Sequence, residues 1–271
     1  MAKRRFYHKA KTFSKINLSY LSYCANLAYE SKEYIEAELT SLGYDLHRDN
    51  FFFSDKDTDT QAFVVGDKNK IILSFRGTEG KIPDWITNID AFKETWINVP
   101  QAGEVHHGFY VALSSIWDEV TSEIKKLRTS GQSIWLTGHS LGGALATLAA
   151  ATLRLQQPEI EINGLYTFGQ PRVGNKEFSS NFNSKLKKKC YRCVNNNDVV
   201  TRVPPRIFGY SHVGRLMYFD VDGVLHRDNS LSWWARFWDQ LEGRFDDVFN
   251  LAPDGVGDHS MDIYQELSEG I

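Results

Sequence analysis

Ile134-Trp-Leu-Thr-Gly-His-Ser-Leu-Gly-Gly-Ala-Leu145 combines an apolar strand, a turn of small residues and the start of an alanine-rich helix. Ser140 lies at the centre of a Gly-x-Ser-x-Gly pattern, between Gly138 and Gly142. A sharp strand-to-helix turn exposes a serine hydroxyl and crowds the positions two residues before and after it, so glycine fits there. The pattern predicts a nucleophilic serine on an α/β fold, against the alternative of a glycine-rich turn with an incidental serine.

The residues around this turn also indicate where an oxyanion would be held. The amides at the start of the following helix would point at the site, where negative charge develops. Such an oxyanion hole takes one N–H from the residue after the nucleophile and one from the loop after an earlier strand. The apolar stretch Lys70–Arg76 predicts that strand, and it stops at Gly77-Thr78. Thr78 and Leu141 are therefore the candidates, against a plain turn at Gly77-Thr78.

Predicted strands and helices alternate along most of the chain, which favours an α/β domain with a mostly parallel central sheet flanked by helices. Besides the helix after Ser140, helices are predicted over about 14–30, 33–42, 106–128 and 175–186. Strands are predicted over about 50–54, 61–66, 70–76, 133–138, 162–169 and 190–194, with a hairpin at 215–220 and 224–226. Because 271 residues can bury one sizeable core, we expect a single domain over 1–271.

Composition excludes several classes of function. The chain has 31 basic and 34 acidic residues, a net charge of −3 that indicates no nucleic-acid partner. No apolar run approaches the roughly 18 residues that suggest a transmembrane helix, so no membrane span is expected. Cys24, Cys190 and Cys193 are too few for a disulfide framework. We expect Cys190 and Cys193 on opposite faces of one strand, with a redox or metal role as the minor alternative.

The first 12 residues form a basic tail that resembles the start of a signal peptide. No apolar segment of the required kind follows it, because Ser, Lys and Asn interrupt residues 12–29. We therefore expect a cytoplasmic protein. A frayed, solvated terminus is favoured for the tail over contact with anionic lipid.

A candidate lid lies in the long connection after Thr78, within residues 79–95. Its apolar side chains recur at steps of three or four, which indicates that part of the connection is an amphipathic helix. These side chains are Ile82, Trp85, Ile86, Ile89, Phe92 and Trp96. An apolar helix beside a candidate site predicts a movable lid, against a helix that is packed permanently on the core.

Asp198 and His259 are the candidate acid and base. Asp198 follows a predicted strand, where an orienting carboxylate would hold one imidazole nitrogen so that the other takes the serine proton; the alternative is an Asx-turn cap. Imidazole changes charge near neutral pH, which suits His259 as the base. His139 also adjoins Ser140, but on a tight turn we expect it to point away. The order Ser140, Asp198, His259 is the order of α/β-hydrolases.

Two other features of the sequence are weaker indications of function than the candidate triad. The acidic residues around His259 lack the spacing of a calcium loop, so no metal is expected; they are Asp254, Asp258 and Asp262. Residues 231–249 are rich in aromatic side chains at helical spacing. We interpret this segment as core or as a wall of the acyl site, with a membrane-contacting face as the alternative.

Six motifs together resemble those of the class 3 lipases, the group that includes filamentous-fungal triacylglycerol lipases. They are Ser74–Thr78, Val105–Phe109, Gly138–Ala144, Asn197–Val200 with Pro204-Pro205, Tyr210–Gly214 and Asp258-His259. The resemblance spans about residues 60–265. It implies an α/β-hydrolase fold, a Ser140–Asp198–His259 triad, an oxyanion hole at Thr78 and Leu141, a lid within about 79–95, and no cofactor or metal. The secreted fungal members carry a signal peptide and disulfides, and this chain shows neither.

These observations predict a serine hydrolase that cleaves carboxylic esters of lipids, such as a triacylglycerol lipase, through an acyl-enzyme. The expected partner is a lipid ester, with transient contact to a lipid interface. Three alternatives stay open: an esterase for short-chain esters, a phospholipase A1, and a non-catalytic lipid-binding protein on the same fold. Fold alone does not choose among them.

Overall fold

The computed structural model describes residues 4–46, 50–78, 92–96, 102–227 and 253–271. Its helices are α1 (Lys15–Leu27), α2 (Lys32–Ser41), α3 (His107–Leu127), α4 (Leu141–Gln156), α5 (Lys176–Leu186), α6 (Pro253–Gly257) and α7 (Met261–Glu269). Its strands are β1 (Phe52–Asp55), β2 (Thr60–Gly66), β3 (Lys70–Phe75), β4 (Lys93–Thr95), β5 (Glu104–His106), β6 (Ser133–His139), β7 (Ile162–Phe168), β8 (Gly174–Asn175), β9 (Cys190–Asn195), β10 (Tyr210–Ser211), β11 (Arg215–Phe219) and β12 (Leu225–Arg227). Short 3₁₀ turns lie at Lys187–Lys189, Val200–Arg202 and Arg206–Phe208.

The main sheet of the described residues has eight strands in the order β1-β2-β3-β6-β7-β9-β11-β12. The five strands from β3 to β11 are parallel to their neighbours, and antiparallel strands complete both edges. The predicted mostly parallel sheet flanked by helices is confirmed. Parallel strands need crossover connections, which here contain α4 and α5 among other segments.

Each face of this sheet is covered by its own set of helices. Alternate side chains of β3 point to opposite faces: Ile71 and Leu73 pack toward α3 and α4, whereas Ile72 packs toward α1 and α2. Cys190 and Cys193 likewise belong to the two different faces, as predicted. Because both faces are buried, the central strands are mostly apolar, and their polar residues, such as Thr137 and Arg192, are buried too.

Capping residues set where several helices begin. Ser14 accepts a hydrogen bond from the amide of Asn17 at the start of α1, and Asn175 accepts one from Phe178 at the start of α5. These side chains satisfy N–H groups that the first turn of a helix leaves without partners. Helix α4 begins differently, because Ser140 makes no side-chain cap there. The serine at the start of α4 therefore keeps its hydroxyl for another role.

A small antiparallel sheet, β10-β8-β5-β4, was not predicted. It includes residues 93–95 within the segment for which helical spacing had been proposed, and the strand there pairs with β5. Trp96, which continued the proposed helical spacing, is buried against Phe178 and the core. The helical interpretation is therefore wrong for residues 93–95. The remaining lid residues, Ile82, Trp85, Ile86 and Ile89, and the aromatic segment 231–249 lie outside the described residues.

The carboxyl ends of the parallel strands lie at one edge of the main sheet, where sites are built in open α/β sheets. Strand β3 ends before Arg76-Gly77-Thr78, β6 before Ser140, β7 before Gly169, and β9 before the Asn196–Asp198 loop. The parallel pairing of these strands places the four chain segments side by side. Residues far apart in sequence can therefore meet at this edge.

Candidate active site

Ser140 occupies a backbone conformation that side chains rarely adopt, with φ 55° and ψ −128°. Its amide donates to the carbonyl of Phe168 at 2.9 Å, and its own carbonyl accepts from the amide of Gly143 at 3.0 Å. A Cβ at Gly138 would lie 2.3 Å from the carbonyl oxygen of Gly142. The turn therefore requires glycine, and it holds Ser140 in the strained geometry expected of a nucleophile.

Asp198 and His259 form a buried pair. The Nδ1 atom of His259 lies 3.0 and 2.9 Å from the two carboxylate oxygens of Asp198, and both side chains are at most 1% exposed. Because a carboxylate only accepts hydrogen bonds, Nδ1 carries a proton, and in a neutral imidazole Nε2 then has a free lone pair. Nε2 is buried and makes no hydrogen bond in the part of the chain that the structure describes. The arrangement leaves Nε2 able to accept a proton.

The Asp198 carboxylate is held by two further donors. The amide of Val200 donates to Oδ1 at 2.9 Å, and the Tyr264 hydroxyl donates to Oδ2 at 2.6 Å. The same hydroxyl accepts from the amide of Asn195 at 2.8 Å, so it joins the end of β9 to α7. Burial, and then the charge of Asp198, raise the pKa of Tyr264 well above its ordinary value of 10.0, so the hydroxyl keeps its proton. No sequence pattern had pointed to Tyr264.

Three consecutive asparagines hold the segment just before His259. The side-chain amide of Asn195 donates to the backbone carbonyl of Asp258 at 2.9 Å. The carboxylate of Asp258 accepts from the side chain of Asn196 and from the amide of Asn197, both at 3.1 Å. These contacts connect the loop of the candidate acid with the loop of the candidate base. The run of three asparagines directly before Asp198 was the available signal in the sequence.

Gly169 lies against the acid–base pair. Its φ is +56°, and an added Cβ would lie 2.7 Å from both Oδ2 of Asp198 and Nδ1 of His259. A side chain there would combine backbone strain with a direct clash with the pair. Glycine is therefore required at the end of β7 to let the carboxylate and the imidazole meet, a requirement that the sequence alone did not indicate.

His139 contacts the main chain and the ring of His259. Its Nε2 lies 2.7 Å from the carbonyl oxygen of His259, and its Nδ1 lies 2.7 Å from the hydroxyl of Tyr29. The two imidazole rings are 4.4 Å apart between centroids. Burial, and then the charge on His259, hold the pKa of His139 well below its ordinary value of 6.5. His139 is therefore a neutral neighbour of the pair, a contact that was not predicted.

Thr78 and Leu141, the candidate oxyanion-hole residues, are both half-buried and lie at the same edge of the sheet as Ser140. Leu141 is the first residue of α4, so its N–H has no partner within the helix. A Cβ at Gly142 would lie 2.3 Å from the carbonyl oxygen of Phe75, so the start of α4 packs tightly on the end of β3. This packing brings the two candidate segments together. Their role stays a prediction.

In the described part of the chain, no three His, Cys, Asp or Glu side chains are arranged to hold a metal ion. Asp262, one of the acidic residues near His259, accepts from the side chain of Asn26 instead. Among the same residues, no helix is both long enough and apolar enough to span a bilayer.

Among known protein families, the model described as lipase (class 3) matches residues 72–208. A secreted mono- and diacylglycerol lipase of Fusarium solani is 37% identical over 179 residues, which cover 63% of this chain and 50% of that protein. A triacylglycerol lipase of Arabidopsis thaliana is 32% identical over 251 residues, covering 72% of this chain and 48% of that protein. The chain thus spans about half the length of these curated relatives.

A solved structure gives the same result for the fold. A triacylglycerol lipase whose catalytic centre is a serine protease triad superposes with a TM-score of 0.65 at 26% sequence identity, covering 79% of this chain and 88% of that one. Together with the parallel sheet and its flanking helices, this likeness confirms the predicted α/β-hydrolase fold.

The expectation of a cytoplasmic protein is wrong, because the relative from Fusarium solani is named as a secreted enzyme. The expectation rested on the lack of an apolar segment after the basic tail. The cysteines carried no information on the compartment: all three are buried and free, and Cys190 and Cys193 lie on opposite faces of the sheet. Two cysteines on opposite faces of one strand cannot form a disulfide with each other.

Proposed function

The chain belongs to the class 3 lipase family, and on that premise we propose that it is a serine hydrolase that cleaves the carboxylic esters of lipids. The supporting observation is the geometry of His259. Its Nδ1 is bound to Asp198 and its Nε2 is buried and unbound, at the sheet edge where Ser140 begins α4. That combination supplies a base that a carboxylate orients, at the sheet edge that also carries the serine hydroxyl.

In the first half of the proposed reaction, the Oγ of Ser140 attacks the ester carbonyl and Nε2 of His259 takes its proton. Asp198 fixes the tautomer of the imidazole and stabilises the imidazolium that forms. The amides of Thr78 and Leu141 hold the negative oxygen of the tetrahedral intermediate. Nε2–H then protonates the leaving alcohol, which departs and leaves the acyl group on Ser140.

In the second half, a water molecule attacks the acyl-enzyme while Nε2 of His259 takes one of its protons. The second tetrahedral intermediate collapses, Nε2–H returns a proton to the Oγ of Ser140, and the fatty acid is released. No redox change occurs, so side chains and backbone amides suffice for each step.

We propose acylglycerols as the substrate class, since the relatives named above are a mono- and diacylglycerol lipase and a triacylglycerol lipase. Contact with a lipid interface and a lid within 79–95 belong to the same proposal. An apolar segment beside the site would be stabilised in an open position by contact with lipid, and this would raise activity on aggregated substrate.

The test is the hydrolysis rate of an ester series from acetyl to palmitoyl, measured below and above the concentration at which each ester aggregates. A lipase should favour long chains, and its rate should rise steeply on aggregation. Ser140→Ala, measured in parallel, should lower kcat by about four to six orders of magnitude. Labelling of Ser140 by a fluorophosphonate should disappear in the same variant.

Three other outcomes would each select an alternative. Smooth saturation with short-chain preference indicates a short-chain esterase. Release of one acyl chain from phosphatidylcholine vesicles, without hydrolysis of acylglycerols, indicates a phospholipase A1. Absence of both labelling and turnover in the unmodified protein, with retained binding of lipid, indicates a non-catalytic lipid-binding protein and contradicts the proposed function.

A further inference from the structure

We propose that Tyr29 and His139 are positioning residues that orient the base, His259, through its main-chain carbonyl. Tyr29 donates a hydrogen bond to His139, and His139 donates one to the carbonyl of His259. The inference rests on the proposed function, because it assigns the two residues a part in the same reaction. Neither side chain needs to touch the substrate.

The direction of each hydrogen bond follows from the chemistry of the atoms. The carbonyl oxygen of His259 can only accept, so Nε2 of His139, at 2.7 Å from it, carries a proton. In a neutral imidazole the other nitrogen, Nδ1, is then an acceptor. The Tyr29 hydroxyl lies 2.7 Å from Nδ1 and therefore donates to it. One tautomer of His139 satisfies both contacts.

The surroundings of His139 keep it in this neutral form. The residue is 4% exposed. The groups that face it are the Tyr29 hydroxyl, the ring and carbonyl of His259, and the ring of Tyr264 at 5.8 Å. A second proton on His139 would take the position at which Nδ1 accepts from Tyr29. It would also place a positive charge beside the imidazolium that His259 becomes during the reaction.

Tyr29 also touches the chain segment of the candidate oxyanion hole. A Cβ at Gly77 would lie 2.1 Å from the Tyr29 hydroxyl oxygen and 2.8 Å from the carbonyl oxygen of His139. Gly77 immediately precedes Thr78, and His139 immediately precedes Ser140. The Tyr29 hydroxyl therefore lies where the segments of the nucleophile, the oxyanion hole and the base approach one another.

Two separate contacts therefore orient His259, one at its ring and one at its main chain. Asp198 fixes the ring of His259 through Nδ1, whereas His139 fixes its main chain through the carbonyl oxygen. Loss of the second contact lets the imidazole swing about its hydrogen bonds to Asp198, and this moves Nε2 relative to Ser140. A misplaced base slows proton transfer without changing how the acyl chain binds. The expected effect therefore falls on kcat rather than on KM.

The experiment compares Tyr29→Phe with Tyr44→Phe. Both variants remove one tyrosine hydroxyl that has a hydrogen-bond partner, but Tyr44 bonds to Tyr20, at 3.0 Å, away from the triad. We expect Tyr29→Phe to lower kcat about 5- to 10-fold, the effect of one hydrogen bond, with KM unchanged. Tyr44→Phe should leave kcat within about 2-fold of the unmodified protein.

His139 is tested with two substitutions. His139→Leu removes the donor to His259 and should lower kcat about 20- to 50-fold, more than Tyr29→Phe, because the base is displaced. His139→Gln keeps an amide donor near the position of Nε2, so it should recover most of that loss. Equal losses in the two variants would contradict the positioning role. If His139→Leu fails to fold, Tyr29→Phe still provides the test.

A proton NMR spectrum supplies a readout that a purely structural role would not change. The proton between Nδ1 of His259 and Asp198 should give a low-field resonance. We expect Tyr29→Phe to shift or broaden this resonance and Tyr44→Phe to leave it in place. If Tyr29→Phe matches Tyr44→Phe in kcat and in this resonance, the positioning inference is wrong. That outcome is distinct from failure of the proposed function, which an active Ser140→Ala variant would demonstrate.

Discussion

The turn around Ser140 and the pair formed by Asp198 and His259 lie at the same sheet edge but are held in different ways. Gly138, Ser140 and Gly142 shape the turn within five consecutive residues, because each glycine removes a clash with neighbouring backbone. Asp198 and His259 are 61 residues apart and meet only through contacts between β9, α7 and their loops. The first arrangement is local, and the second depends on the whole fold.

This difference predicts how amino-acid substitutions would affect each region. A side chain added in the turn would clash with main-chain atoms. Main-chain atoms cannot relieve such a clash by a change of side-chain rotamer. The acid–base pair has several supports, including Tyr264, Asn195, Asn196 and His139, so losing one leaves the others in place. We therefore expect large effects from changes in the turn and graded effects around the pair.

Gly138→Ala should have the largest effect. Its Cβ would lie 2.3 Å from the carbonyl oxygen of Gly142, so the backbone must move by about 1 Å, a displacement that can lower kcat about 100-fold or more. Fluorophosphonate labelling of Ser140 should slow in proportion. The control is Gly66→Ala, where the nearest atoms are side-chain carbons at an ordinary 3.4 Å. Similar rates for the two variants would contradict the local explanation.

Gly169→Ala should have the next largest effect, because the added methyl group contacts the acid–base pair directly. Contacts of 2.7 Å with Asp198 and His259 must lengthen, and we expect kcat to fall roughly 10- to 100-fold. Gly131→Ala is the matched control: its φ is also positive, at +75°, but nothing lies within 4 Å of the added Cβ. The control should lose stability alone. Equal activities in the two variants would show that the pair tolerates the methyl group.

Tyr264→Phe removes one support and should have a moderate effect. The Asn195 amide loses its acceptor in a buried position, which should lower the free energy of unfolding by about 1–3 kcal/mol. Because Asp198 keeps the Val200 amide and His259, kcat should fall by only about 10-fold. Urea unfolding and initial rates measure the two quantities. A loss of kcat as large as that of Gly138→Ala would contradict the idea of graded support.

The smallest expected effect is a pH dependence of stability from His139. Its folded-state pKa lies well below 6.5, so below pH 6.5 the unfolded chain binds a proton that the native protein does not. Stability should therefore fall as pH decreases, by up to about 1.4 kcal/mol per pH unit from this group. In His139→Gln the free energy of unfolding should decline less between pH 6.5 and 5. Parallel curves for the two proteins would show that His139 is protonated in the native state.

The sequence predicted much of this architecture because its signals were local and periodic. Continuous apolar strands such as Lys70–Phe75 and the small-residue helix α4 were recognisable from hydrophobic pattern and composition alone. The small antiparallel sheet was missed because β8 and β10 have only two residues each, too few for any period. Residues 93–95 were interpreted as helical because the three-to-four spacing of apolar residues continues through Phe92 and Trp96. In the structure these residues instead form a strand that pairs with β5.

Sequence was enough to predict the class 3 lipase family, the α/β fold and the glycine-bounded turn at Ser140, since each depends on neighbouring residues or ordered motifs. Long-range packing established which nitrogen of His259 is bound to Asp198, that Tyr264 holds the acid, that Asn195 holds the segment before the base, and that Tyr29 and His139 form hydrogen bonds leading to the main chain of the base. These contacts join residues that are 61 to 120 positions apart in the sequence, from Asp198 with His259 to His139 with His259. Packing alone brings such segments together, because no short-range backbone preference specifies a partner so distant along the chain.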